Sequence, residues 1–504
     1  MEYSEIVHQF PIWAIIFPMI MTAAVYFAGR RSSKTRNILT VLTTTVTFLL
    51  VLSMYPVIMA GEVIYYPIAE LIPPFGLSFR VDVLGFGLAL LSSFVWMLVS
   101  IYSLSYMEGK EYQNRYFSAL VLTLSGCIGI FLSGDLFSLF IFYELMSLVS
   151  YVLIVHSETS EALKAGFKYL IVTIAGGLFL FLGIIITFEI GGSISLHEGG
   201  IITEVTNLSF LAYISFIIGF GMKAGMVPLH VWLPDAHPVA PSPASALLSG
   251  IMIKTGAYGL IRMVFHVFDY NIIVEANWHL ILAVLSVITI LLGSAVAIVQ
   301  QDLKRRLAYS SVGQMGYILL GISIMTETAM VGDIFHIFSH AFMKSTLFLA
   351  AGVIISKTGK KKIDELKGIG YKMPLTMISF TIAALAMIGI PPLNGFLSKW
   401  ALSLGALDAN QPYFVALLLL SSLMNAIYYL PIINIAFFGK VDEEPKPTPE
   451  AGEQIKVGKF EAPLTMIMPV MVLGLSCLVL GLLPLNLPYE FSQEAARMLF
   501  ENSL

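Results

Sequence analysis

The feature that most limits the fold is an apolar run of about twenty residues, repeated along the whole chain between short polar stretches. A helix of that length reaches across roughly 30 Å, the thickness of the hydrocarbon core of a bilayer. A soluble fold cannot hide so many such segments. Of the 504 residues 57% are hydrophobic and only 12% charged, about half the charged share of an ordinary globular domain. The chain is therefore read as an all-α polytopic membrane protein, a single membrane domain over 1–504. Its opening, MEYSEIVH, has no Lys or Arg and so lacks the positive region of a cleaved signal peptide, and the first apolar run is expected to stay in the membrane.

Several function classes fall away on composition. Cys127 and Cys477 stand alone in separate apolar runs and make no CxxC pair, zinc site or iron–sulfur ligand set. A net charge of −4 offers no basic surface to nucleic acid. GxxxxGK[ST], HExxH and GxSxG are all missing, so there is no nucleotide or hydrolase site of those kinds. The 24 methionines do not cluster as copper ligands and read as packing and lipid-facing residues. No cofactor is expected.

Apolar runs and breaks place fourteen spans, near 10–29, 38–59, 83–106, 116–133, 136–155, 163–189, 207–226, 243–268, 277–299, 307–324, 329–356, 374–403, 412–437 and 463–484. With fourteen spans, nineteen Lys and Arg fall in loops on one side, including Arg30, Arg31, Lys110, Arg115, Lys304, Arg305, Arg306 and Lys360–Lys362, and two, Arg80 and Arg497, on the other. The positive-inside rule makes the rich side cytoplasmic. Both chain ends are then expected outside, in the plasma membrane of a prokaryote. The stretch 60–82 alternates and carries prolines, as an outside hairpin over the bundle would. The charged, proline-rich 438–462 is expected to be a cytoplasmic linker.

Seven positive charges are left inside or at the edges of spans: Lys164, Lys168, Lys223, Lys254, Arg262, Lys344 and Lys399. One acid, Glu144, sits near the middle of the fifth span. A charge at the bilayer centre costs about 2.5 to 3.5 kcal/mol on insertion scales, so these groups need paired or hydrated surroundings. Lys164 and Lys168, in the first turns of their span, can snorkel to the headgroups, and Arg262, near the outer end of its span, reads as an anchor. Glu144, Lys223, Lys254 and Lys399 lie too deep for that. Lysine can lose and regain a proton where arginine cannot, which makes deep lysines candidate relay groups.

Two of them adjoin helix breaks. Lys223 precedes Pro228, Pro234, Pro238, Pro241 and Pro243, and Lys399 follows Pro391, Pro392 and Gly395. Irregular backbone at membrane depth is tolerated where it is buried in protein or lines a wet cavity, and it marks ion pathways in transporters built from inverted repeats. The broken spans, 7 and 12, are five apart, which suggests two inverted five-helix repeats, 116–268 and 277–437. No residue-level repeat is apparent beyond the shared break and lysine. His336, His340 and Lys344 recur at i, i+4 and i+8 and so share one helix face. Imidazole accepts a proton on one nitrogen and gives one up from the other. Paired histidines can also hold a metal, but here there is no further soft ligand and no facing histidine pair. His230 and His237, in the proline-rich break, either line a water path or satisfy irregular backbone.

Together the segments SGDLFSLFIFYELMSLVSYVL, GMKAGMVPLHVWLPDAHPVAPSPASALLSGIMIKTGAYGL, QQDLKRRLAYSSVGQMGYILLGI, HAFMKSTLF and PPLNGFLSKW resemble the antiporter-like subunits shared by complex I, membrane-bound hydrogenases and Mrp-type cation/proton antiporters. The resemblance covers nearly the whole chain. It implies that Glu144 and Lys223 are the charged pair of one half-channel, that Lys254 is the link, that His336, His340 and Lys344 continue the axis, and that Lys399 is the terminal relay of the other half. Within that family, the chain end soon after the fourteenth span and a lysine at 399 point to the D-type subunit of an Mrp Na+/H+ antiporter. The alternative is a proton-pumping subunit of a redox-driven complex of hydrogenase, sulfane reductase or complex I type, and a third reading is a scaffold subunit that moves no protons. The implied partners are other membrane subunits, the lipid bilayer, and protons and sodium as transported ions. By itself such a subunit is no enzyme.

Overall fold

The computed structural model describes residues 7–72, 75–196, 199–439, 461–483 and 487–501. The long helices are α1 (Phe10–Gly29), α2 (Ser33–Leu52), α3 (Val83–Tyr106), α4 (Gln113–Phe131), α5 (Leu136–Ile154), α6 (Ser160–Gly191) and α7a (Asn207–Ala224), which is followed by the short α7b (Leu233–Val239). Then come α8 (Ser242–Val267), α9 (His279–Val299), α10 (Leu303–Ile324), α11 (Glu327–Thr358), α12a (Pro374–Ile388), α12b (Asn394–Asp408), α13 (Pro412–Phe438), α14 (Leu464–Leu482) and α15 (Leu487–Glu501). Helices dominate because a membrane interior demands that each segment satisfy its own backbone. Several starts are capped by residue types suited to accepting a backbone N–H. Asp82, Asp135, Asp302 and Thr326 accept from Gly85, Ser138, Arg305 and Ala329 respectively.

Among the described residues, thirteen helices are long and apolar enough to cross a membrane. The one remaining expected crossing, the twelfth at 374–403, is present as α12a and α12b, fifteen residues each. A helix of that length covers only about 22 Å, so the two halves make one interrupted span. The helices are not equivalent in burial. α8 and α11 are buried along their whole apolar windows, and α10 nearly so, while α1 has most of its surface outside the bundle. Lys254, His336, His340 and Lys344 therefore lie on helices with no lipid face.

The expected hairpin is there: β1 (Ile64–Ile72) pairs antiparallel with β2 (Phe75–Val81), Ile64 opposite Val81. It is pinned to the bundle where Gly134 N donates to Ser78 O at 2.8 Å and Arg80 Nη1 donates to Leu196 O at 2.6 Å. Nearly all of the expected linker 438–462 lies outside the described residues. The amphipathic α15 is an element that the span pattern leaves out, since its polar face breaks the apolar run; it packs on α11 and α3.

Four sequence expectations need correction. The first concerns extent: the prolines from 228 to 243 prevent continuous helix, as expected, but much of that stretch is helical in short pieces. The break is short, and Pro234 enters α7b in its first turn, where a missing N–H costs nothing, while Pro243 does the same for α8. Second, Lys304 and Arg306 are not loop charges. α10 starts at Leu303, and both side chains are buried, donating to backbone carbonyls: Lys304 to Ala240, Arg306 to Gln300 and Tyr428. Third, Lys168 is more than a snorkelling residue, because its Nζ meets Asp235 Oδ2 at 2.8 Å and Arg305 binds the other oxygen of that carboxylate at 3.2 Å.

The fourth is Arg262. It is not a headgroup anchor: its side chain is buried and forms a bidentate pair with Asp82, both bonds 2.6 Å. Burial pushes the Asp82 carboxyl up, and the charge and hydrogen bonds of Arg262 more than offset this, holding it below the ordinary carboxylate range. Asp82 thus caps α3 and neutralises α8 at once. Asp82→Asn is expected to cost about 3–5 kcal/mol, because it strands a buried guanidinium, whereas replacing both partners by apolar residues of similar volume should recover most of the loss. Thermal unfolding in detergent checks this, and a single variant as stable as the parent would remove the pair from the account of stability.

Candidate proton path

The two breaks share a residue-level pattern that hydropathy does not bring out. Gly225-x-x-Pro228-Leu229-x-x-Trp232-Leu233 aligns without a gap on Gly389-x-x-Pro392-Leu393-x-x-Phe396-Leu397. Both glycines end a helix in the left-handed region, at φ +71° and +92°, where a side chain would be strained. In this register Lys223 stands two residues before its glycine and Lys399 ten after its own, so the two lysines are not counterparts. The break recurs and the lysine does not, contrary to the sequence expectation.

The difference is chemical. A helix end leaves its last carbonyls without N–H partners and carries a partial negative charge. At the first break Trp232 Nε1 donates to Met222 O at 2.9 Å. Phe396, at the equivalent place in the second, has no donor. Instead Lys399 Nζ donates to Met387 O at 2.9 Å and Ile388 O at 3.0 Å, the final carbonyls of α12a, and to Ser422 Oγ at 3.0 Å. Gly395 permits this fold-back, since a Cβ there would overlap Ala386 O.

At the other end of the array, Lys223 and Glu144 are close in the fold but form no ion pair among the described residues. Lys223 Nζ donates to Ser147 Oγ at 2.9 Å on α5 and to Tyr169 Oη at 2.7 Å on α6. Glu144, one turn before Ser147, faces Gly177 on α6, and its Oε1 is buried without a partner. The ammonium thus rests on two neutral hydroxyls, one of them a single helical turn along α5 from Glu144.

Lys254 lies on α8 just past a π-helical turn, Leu248–Met252, and donates to Ser249 O at 2.6 Å. Such turns widen the helix and loosen its own bonding. The turn packs on α11, which carries the histidine array as expected. Lys344 Nζ donates to Leu307 O at 2.9 Å, to Ser310 Oγ, and to Tyr429 Oη at 3.3 Å. The His336 and His340 rings lie nearly parallel with centroids 5.9 Å apart. His336 Nδ1 and Ser398 Oγ are 2.9 Å apart, and Tyr317 stacks on His336 at 5.4 Å while Lys399 Nζ sits 5.0 Å from the same tyrosine ring. Tyr317 and Ser398 thus join the α11 array to Lys399.

Among the described residues several polar atoms here are buried with no protein partner: both nitrogens of His340, Nε2 of His336, the amides of Gln314 and Asn394, and Oγ of Ser339. Buried polar groups are satisfied in nearly every native structure, so such a set calls for water. Among the described residues both nitrogens of His237 are also unpartnered, its ring stacked on Phe348 at 4.6 Å, so its side chain does not serve the irregular backbone; His230 Nδ1 has no partner there either, but its ring bonds the backbone at Pro228. Lys164 takes no part in this array. The sequence reading missed Ser147, Tyr169, Tyr317, Ser398 and Tyr429, whose residue types are common in apolar spans. It also missed Asp333, a second buried acid that the string GDIFH displays openly.

Comparison with known proteins shows the family and the fold. Residues 133–425 match the family described as "NADH:quinone oxidoreductase/Mrp antiporter, TM", and residues 73–117 match "NADH-Ubiquinone oxidoreductase (complex I), chain 5 N-terminus". The chain is 34% identical over 482 residues to NADH-quinone oxidoreductase subunit N of Desulforudis audaxviator, covering 94% of this chain and 95% of that one. It is 30% identical over 404 residues to the D-type subunit of the Na(+)/H(+) antiporter of Alkalihalophilus pseudofirmus, covering 79% and 80%. Its fold is shared with a chain of the Mrp complex from Dietzia sp. DQ12-45-1b, at a TM-score of 0.86 and 23% identity over 98% of both chains. A chain of the archaeal membrane-bound sulfane sulfur reductase has the same TM-score, 0.86, at 24% identity over 98% of this chain and 100% of that one.

Proposed function

This chain belongs to the family of membrane subunits common to NADH:quinone oxidoreductases and Mrp antiporters, and from that premise we propose that it carries protons as the D-type subunit of a multisubunit Na+/H+ antiporter. The observation that carries the reading is the junction of Lys399, Tyr317, Ser398 and His336. A releasable ammonium held on the carbonyls of a broken helix meets an imidazole whose second nitrogen is free among the described residues, on α11, a helix buried along its whole apolar window. Glu144 and Lys223 form the switchable pair at one end, Lys254 links to α11, and His340 and Lys344 continue the line. Protons move between these groups over bridging water, and sodium moves through partner subunits. The subunit works in the plasma membrane with both ends outside, in keeping with the distribution of Lys and Arg among its loops.

A second reading, in which electron transfer elsewhere in a complex powers proton pumping through this chain, is favoured by the likeness to an NADH-quinone oxidoreductase subunit over 94% of the chain. The two differ in what drives the same path. In vesicles holding the native complex, an imposed sodium gradient should drive proton flux without any electron donor. His340→Ala should reduce that flux by on the order of a hundredfold, as loss of a group that both accepts and donates, and His340→Gln should rescue poorly. Flux that needs an electron donor, with iron–sulfur or nickel–iron subunits in the purified complex, would establish the second reading instead. Full rescue by Gln would reduce His340 to a hydrogen-bonding residue.

A further inference from the structure

The seam between α10 and α11 holds an ionisable group that the path above does not use. Asp333 lies one turn before His336, is fully buried, and neither carboxyl oxygen has a hydrogen-bond partner among the described residues. Apolar packing does not account for it, because an unsatisfied carboxyl is among the most costly groups to bury. Its place is built into the neighbouring helix: a Cβ at Gly321 of α10 would lie 2.6 Å from Asp333 Cβ and 2.8 Å from Oδ1. One turn deeper on the same helix, Tyr317 stacks on His336. Asp333 and His336 therefore occupy successive turns of one seam, as i, i+3 neighbours.

The helix start beyond Asp333 borders an open cavity of about 950 Å³, lined by Glu327, Val331, Trp400, Ala401, Glu494 and Arg497 among others. Ala401 packs on Gly332, the residue next to Asp333, and Val331 of the same helix lines that cavity, so Asp333 stands two residues along α11 from its wall. The titratable groups presented by the packed elements are His336 on α11, Tyr317 on α10, Lys399 on α12b, and, across the cavity, Glu327 with Glu490, Glu494 and Arg497 of α15. Asp333 pairs with none of them among the described residues.

We propose that Asp333 is a proton-carrying site that extends the α11 array from His336 toward this cavity. The step is a proton transfer: the carboxyl O–H gives its proton through water to a ring nitrogen of His336, and the carboxylate is reloaded from the cavity side, or the reverse. The proposal rests on the proton-path reading above. Asp333→Asn keeps size and hydrogen bonding but cannot titrate. In vesicles of the assembled complex it should lower proton flux by on the order of a hundredfold, and a protonated-carboxyl band should disappear from pH-difference infrared spectra. Asp333→Glu should retain a displaced band and part of the flux, limited by the tight wall at Gly321, and it serves as the reporter if the Asn variant does not assemble.

Unchanged flux in Asp333→Asn, or a carboxyl difference band unaltered by either substitution, would overturn the assignment. So would a band that sodium removes at constant pH, which would make Asp333 a cation ligand. If Asp333→Asn is active while Lys399→Arg is not, the extension fails and the path stands; if both are active, the path itself has failed.

Discussion

Lys399→Arg is expected to move protons no faster than Lys399→Ala, although the arginine variant should assemble and the alanine variant should be less stable. The ammonium of Lys399 satisfies Met387 O and Ile388 O, two carbonyls set free where α12a ends. That is a structural duty beside the proposed relay role, and the two separate cleanly. Arginine keeps a positive charge with several donors against the helix end but does not give up its proton in a protein. Alanine removes both and leaves the carbonyls bare at burial, a loss of about 1–3 kcal/mol. Flux in vesicles should fall by on the order of a hundredfold or more for both variants, while thermal stability should fall chiefly for alanine. Arginine close to the parent in flux would assign Lys399 to helix capping alone.

Glu144→Gln and Lys223→Ala should each abolish transport with the complex still assembled. Lys223 rests on Ser147 and Tyr169, two neutral oxygens, while the carboxyl of Glu144 has an oxygen with no partner among the described residues. In the proposed path the ammonium alternates between Glu144 and these two hydroxyls and hands a proton on as it moves. Gln at 144 leaves only the second position and Ala at 223 leaves neither, so both should cut flux by on the order of a hundredfold. Tyr169→Phe and Ser147→Ala, which weaken the second position only, should slow transport without abolishing it. Normal flux in either of the first two variants would mean that the proton does not pass this pair.

The glycine-proline pattern at the two breaks was open to sequence comparison, yet a search for paired lysines looks in the wrong register, since Lys223 and Lys399 fall on opposite sides of their glycines. The missing indole at Phe396 shows why: each break must satisfy its freed carbonyls, and tryptophan does so at one and lysine at the other.

The sequence by itself determined the spans, the two interrupted helices, the hairpin and the unusual deep charges. These follow from hydropathy, backbone rules and the cost of burying charge, which act over a few neighbouring residues. Only the tertiary structure decided which partner each charge takes. Arg262 finds Asp82 at a separation of 180 residues, Lys223 finds Tyr169 at 54, and Asp333 finds the space that Gly321 leaves open on another helix. Such pairings depend on how the helices pack side by side, and a span's apolar pattern carries almost no information about that when it is buried on every face.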